Sequence, residues 1–87
     1  MNNCSLEFSQ KAWGEYVSWE TEDKETLKRI NSLINEILRH PFDGAGKPEP
    51  LQHELSGMWS RRINKRDRLI YRVFSDKVQI IQLKYHY

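Results

Sequence analysis

The chain has 87 residues, 38% of them hydrophobic and 11% aromatic, which suffices for one small core and not for two, so a single domain spanning residues 1–87 is expected. No run approaches the roughly 18 apolar residues that cross a bilayer, and "MNNCSLEFSQ" lacks the basic-then-apolar order of a secretory signal. The lone Cys4 excludes an internal disulfide framework and a Cys-based zinc cage, so a cytoplasmic protein without metal or cofactor is the expectation.

The net charge of +2 hides a split: residues 1–46 carry five Lys/Arg against eight Asp/Glu, a net of −3, and residues 47–87 carry nine against four, a net of +5. A basic second half is suited to a polyanion, although a solvated basic face gives the same pattern.

In chain order, "SLEFS" alternates Leu6 and Phe8 with polar neighbours and reads as a short strand. Ser9 is a good N-cap for a first helix, on which Ala12, Trp13, Tyr16 and Val17 form one stripe and which ends near Trp19 or Glu20. Thr21 is placed to cap a second helix, with Glu22 and Asp23 at its positive end and Arg39 and His40 at its negative end. Leu27, Ile30, Ile34, Ile37 and Leu38 make its buried face, and Pro41 stops it. "HPFDGAGKPEPLQHELSG" holds all three prolines of the chain and reads as a long loop without a regular element, stiffened where Pro48 and Pro50 bracket Glu49.

"MWSRRI", "RLIYRVF" and "KVQIIQLKYHY" are rich in β-branched and aromatic residues and are separated by polar turns, which predicts an antiparallel meander. The fold class that follows is α+β: two N-terminal helices packed on an antiparallel sheet made of the short N-terminal strand and the C-terminal three-stranded meander. Trp13, Trp19 and Trp59 are expected in the core.

Strand alternation puts Leu69, Tyr71 and Val73 on the core face of the middle strand and Arg68, Ile70 and Arg72 on the other. In the last strand Ile81, Leu83 and Tyr85 are the more apolar set, opposite Gln82, Lys84 and His86. Aligning the polar faces requires a three-residue turn over residues 75–77, which sets Arg68 opposite Lys84. Ser60 and Arg62 extend that surface if their strand runs in matching phase.

Guanidinium forks suit phosphate, and the rings of Tyr85 and Tyr87 suit stacking on an unpaired base, so single-stranded RNA is a natural candidate ligand. Arg61, Arg62, Lys84 and Tyr85 are the candidate RNA-binding residues. Cutting RNA without a metal takes a base for the 2′-hydroxyl proton, a cation for the charge on phosphorus and an acid for the leaving 5′-oxygen. Glu49, Arg68 and His86 can fill these roles, since an ordinary carboxylate titrates near 4.3 and an ordinary histidine near 6.5. Taken singly, each has a plain alternative: a solvated loop acid, a partner for Asp67 or Glu54, and a surface histidine. His40 and His53 lack a second ligand at metal-binding spacing.

"PFDGAGKPEPLQHELSGMWSRRI", "RLIYRV", the final "KYHY" and "WETEDKETLKRINSLI" together resemble the YoeB/Txe family of bacterial toxin–antitoxin ribonucleases, within the RelE-like group, over nearly the whole chain. The resemblance implies a microbial-ribonuclease-like fold and a metal-independent endonuclease that cuts mRNA in the A site of the 70S ribosome. It implies Glu49 as general base, Arg68 as phosphate-stabilising arginine, His86 as general acid and Tyr87 as the tyrosine beside it, with Lys47 and Arg62 contacting RNA or the site. Gln52 stands where relatives often carry lysine. A YefM-type antitoxin and a homodimer are the partners implied. The rival reading from the residues alone is a non-enzymatic RNA- or ribosome-binding module.

Overall fold

The structure, a computed structural model, describes residues 4–85. Strand β1 (Ser5–Phe8) leads into helices α1 (Gln10–Glu22) and α2 (Lys24–Arg39). Strands β2 (Glu49–Pro50), β3 (Trp59–Arg62), β4 (Arg68–Val73) and β5 (Lys77–Gln82) follow, with a short 3-10 turn over His53–Leu55 between β2 and β3. The strands form one sheet in the order β1-β5-β4-β3-β2, and the helices lie on one face of it.

This is the α+β class expected, with two differences. β1 lies at the edge but runs parallel to β5, pairing Ser5 with Lys77 and Phe8 with Ile80, so the sheet is mixed. Parallel neighbours need a long crossover, and here everything from α1 to β4 lies between them. The proline-rich segment also contributes a fifth strand: Glu49 pairs with Ser60 and Pro50 with Trp59. Proline is tolerated there because β2 is an edge strand with an unpaired side.

Ser9 caps α1 as expected; its Oγ accepts from the Ala12 N–H at 3.0 Å and donates to the Ile81 carbonyl at 2.9 Å. The expected break near Trp19 does not occur. α1 continues to Glu22, and Asp23, not Thr21, is the hinge residue. Its N–H donates to the Trp19 carbonyl to close α1, while its carboxylate accepts from the Glu25 and Thr26 N–H groups to open α2. A carboxylate with two acceptor oxygens outcompetes a single hydroxyl for these donors. The hydrogen bonds from Thr26 hold the Asp23 carboxyl below its ordinary value.

α2 presents Ile30, Leu33, Ile34 and Ile37 as its buried stripe, Leu33 being the member that the sequence reading left out. Each such side chain contributes roughly 1.5–3 kcal/mol by leaving water. The stripe packs over Leu69, Tyr71, Val78, Ile80 and Leu83. Of the three tryptophans, Trp19 is buried and Trp59 half-buried, but Trp13 is 55% exposed, stacked on Tyr16 and edge-on to Phe8. With Val17 also exposed, the buried residues of α1 are Ala12 and Trp19.

The β4–β5 turn is two residues long, not three, because the Phe74 N–H donates to the Lys77 carbonyl at 2.8 Å. The missing residue is recovered inside β5. Tyr71 pairs with Ile80 but Ile70 with Gln82, leaving Ile81 as a bulge. A bulge reverses the in-out alternation, so Val78 and Ile80 before it and Leu83 beyond it all reach the core. The expected core set of Ile81, Leu83 and Tyr85 is therefore corrected to Val78, Ile80 and Leu83. Beyond the bulge the offset equals that of a three-residue turn.

Candidate active site

The face of the sheet opposite the helices is built from alternate residues of four strands. Paired residues of adjacent strands share a face, so Glu49, Ser60, Ile70 and Gln82 form one row across β2, β3, β4 and β5. Arg62 and Arg68, themselves a pair, form the next row. The phase expected for Ser60 and Arg62 is the one found.

In this face the Arg68 Nη1 donates to Glu49 Oε1 at 3.0 Å and lies 3.4 Å from Ser60 Oγ. The Arg68 side chain is 17% exposed and that of Glu49 51%, beside the buried Ser60 and Ile70 of the same face. Two residues 19 apart in sequence thus meet as a charge-assisted pair, whose acid is presented to solvent. Arg68 pairs with Glu49, not with Asp67 or Glu54. Arg62 is exposed on the same face, and Lys47, exposed at φ 52°, stands two residues before Glu49.

Two expected RNA ligands are elsewhere. Arg61 is 0% exposed. Its Nε donates to the Tyr71 hydroxyl at 3.2 Å, Nη1 to the Ala45 carbonyl at 3.0 Å, and Nη2 to the carbonyls of His40 and Asp43. Tyr71 in turn donates to the Pro41 carbonyl at 2.6 Å. Arg61 and Tyr71 together bind four part-buried carbonyls of the loop at residues 40–45 and tie it to the sheet. Burial pushes the Tyr71 phenol above its ordinary value of 10.0, against the opposing pull of Arg61. The loop closes on Gly46, at φ 83°, whose carbonyl accepts from the Arg62 N–H at 2.7 Å. A Cβ at Gly46 would come within 3.0 Å of Leu33 and 3.1 Å of Arg61. A sign of this was present in "WSRRI": Trp59 and Ile63 flank Arg61 at strand spacing, so Arg61 shares their core side.

Lys84 is the second correction. Its Nζ donates to Ser18 Oγ at 2.9 Å, pairs with Glu22 and lies 4.9 Å from the centre of the Trp19 ring. It belongs to the helical side. The Lys84 hydrogen bond, with a second from Ser18, lowers the Glu22 carboxyl below its ordinary 4.5. Tyr85 is 57% exposed, with the Arg66 guanidinium 5.4 Å from its ring centre. His86 and Tyr87 lie outside the described residues.

Several residues that the sequence reading passed over hold the segment just before His86. The Leu83 N–H donates to Glu15 at 2.7 Å and its carbonyl accepts from Trp19 Nε1 at 3.0 Å. The Tyr85 N–H donates to the buried carboxylate of Asp67 at 2.7 Å and its carbonyl accepts from the Arg68 N–H at 3.2 Å. No local pattern announces these contacts, since the two carboxylates lie 68 and 18 residues from the amides they accept. Among the described residues no group of three or more His, Cys, Asp or Glu is placed to hold a metal ion. Among the described residues no helix is long and apolar enough to cross a membrane.

Two helices over a five-stranded mixed sheet are the fold of bacterial toxin structures: a YoeB/ParE toxin from Agrobacterium tumefaciens superposes with a TM-score of 0.91 at 38% identity, covering 95% of this chain and 99% of that one. Residues 8–87 match the family described as the YoeB-like toxin of bacterial type II toxin-antitoxin systems, and the chain belongs to that family. A toxin YoeB of Mycobacterium bovis is 51% identical over 83 residues, which cover 95% of this chain and 98% of the relative. The structure of a YoeB dimer from Staphylococcus aureus superposes with a TM-score of 0.91 at 40% identity, covering 98% of this chain and 99% of that one. A heterotetrameric YoeB–YefM toxin–antitoxin complex from the same organism gives 0.89 at 40% identity, covering 97% and 98%.

Proposed function

We propose that this toxin is a ribosome-dependent endoribonuclease that cuts mRNA in the A site by metal-independent acid–base chemistry and so inhibits translation in the cytoplasm. The observation that carries the reading is the 3.0 Å contact between Glu49 and Arg68 on the face opposite the helices, a base and a phosphate-binding cation within reach of one ribose–phosphate unit. In the reaction Glu49 takes the 2′-hydroxyl proton and the 2′-oxygen attacks phosphorus. Arg68 stabilises the charge that gathers on the phosphoryl oxygens. His86 protonates the 5′-oxygen as the P–O5′ bond breaks, leaving a cyclic phosphate. Tyr87 and Tyr85 offer rings for base stacking, and Lys47 and Arg62 bind backbone phosphates. Gln52 supplies no charge where relatives often have lysine.

A YefM-type antitoxin is the proposed protein partner, supported by the complex of the S. aureus relative. A homodimer is supported by that organism's YoeB dimer. The test is to induce the chain in cells and map new RNA ends relative to start codons, beside His86→Gln and Glu49→Ala. In-frame clusters that disappear in both variants, with ribosome binding retained, are expected. Wild-type protein that binds ribosomes and leaves mRNA whole would instead establish a non-enzymatic ribosome-binding module.

A further inference from the structure

We propose that Glu15 and Asp67 are positioning residues for His86, forming a two-carboxylate clamp on the backbone that leads into it. The inference rests on the ribonuclease reading above, in which His86 is the acid.

Three observations carry it. The first is how completely the segment is held. Of the six N–H and C=O groups of residues 83–85, five have partners: Leu83 N–H with Glu15, Leu83 carbonyl with Trp19, Lys84 carbonyl with Gln82, Tyr85 N–H with Asp67 and Tyr85 carbonyl with the Arg68 amide. The second is that the two carboxylates pull from different elements. Glu15 reaches from α1 and Asp67 from the β3–β4 turn, and each accepts its backbone amide at 2.7 Å. The third is the placement of Asp67. It is 0% exposed and immediately precedes Arg68, whose own amide binds the carbonyl of Tyr85. Tyr85 itself sits at φ 66°, a left-handed conformation that a tyrosine keeps only where its surroundings impose it.

The chain therefore leaves Tyr85 from a point fixed to the strand that bears Arg68, and the next residue is His86. A proton donor acts only if held within hydrogen-bond reach of the leaving oxygen, and a 1 Å displacement can cost about a hundredfold in rate. Neither carboxylate touches substrate in this scheme. They act through the backbone.

The experiment measures kcat and KM for mRNA cleavage on programmed ribosomes with wild type, Asp67→Ala, Glu15→Ala and Asn64→Ala, with the melting temperature of each. Asn64 is the control because its side chain accepts from the Arg66 and Asp67 amides and donates to the Asp67 carboxylate, but has no bond to residues 83–85. Asp67→Ala should lower kcat about 10- to 100-fold and Glu15→Ala about 3- to 10-fold, each with KM within about twofold of wild type. Asn64→Ala should lose stability and keep kcat. Wild-type kcat in a folded Asp67→Ala, or an equal loss of kcat in Asn64→Ala, overturns the clamp and leaves the ribonuclease reading intact. If Asp67→Ala does not fold, Glu15→Ala decides in the same way. A wild-type protein that never cuts removes the ribonuclease reading, and the clamp with it.

Discussion

Arg61 and Arg68 sit on adjacent strands and differ in nearly everything that matters. Arg61 points to the helical side, is fully buried, and spends its donors on the carbonyls of the loop at residues 40–45. Arg68 points to the opposite side, remains partly exposed and meets a carboxylate. The same guanidinium is a structural cross-link on one face and a candidate catalytic cation on the other. The two faces are nonetheless coupled. The loop that Arg61 ties down ends at Gly46, whose carbonyl is bound to the Arg62 amide, and Glu49 follows three residues later. Residue type alone does not assign function; the side of the sheet does.

That contrast breaks if the face bearing Arg68 proves to be structural. Glu49→Gln keeps the shape and removes the proposed base, so mRNA cleavage should fall about 10²- to 10⁴-fold while the melting temperature stays near that of wild type. A large loss of stability in this variant would show that the ion pair serves folding. The converse holds for Arg61→Met. It removes the donors to three part-buried carbonyls and to the Tyr71 hydroxyl and should cost about 2–4 kcal/mol in urea denaturation, and an unchanged midpoint would refute the cross-link.

Smaller effects sharpen the comparison. Tyr71→Phe removes the hydroxyl shared by Pro41 and Arg61 and should cost about 1–2 kcal/mol. Because burial raises the folded phenol above 10.0, the unfolded chain loses this proton first. The associated stability is complete below pH 10 and is lost as pH rises past it. The Phe variant should lack that alkaline decline when unfolding is followed against pH.

Glu22 runs the other way. Its carboxyl is lowered from 4.5 chiefly by Lys84, so its contribution is present above about pH 4.5 and fades as pH falls further. Glu22→Gln should flatten that acid limb only slightly, since the carboxylate is at the surface. A steep limb that survives the substitution would assign the acid dependence to other groups.

Features set by neighbours in sequence were legible from the sequence. The Ser9 cap, the α2 stripe, the stop at Pro41 and the meander each follow from propensity or periodicity over a few residues, and the motifs around Glu49, Arg68 and "KYHY" carried the family resemblance. What only the tertiary structure decided was phase and partnership. The Ile81 bulge selects Val78, Ile80 and Leu83 for the core, Arg61 turns inward, and Lys84 joins α1. Periodicity states which residues share a face, but which face is buried depends on what packs there. Here the deciding partners are distant: 10 to 21 residues for Arg61, 62 for Lys84 and 68 for Leu83. Contacts across such separations leave no local pattern to read.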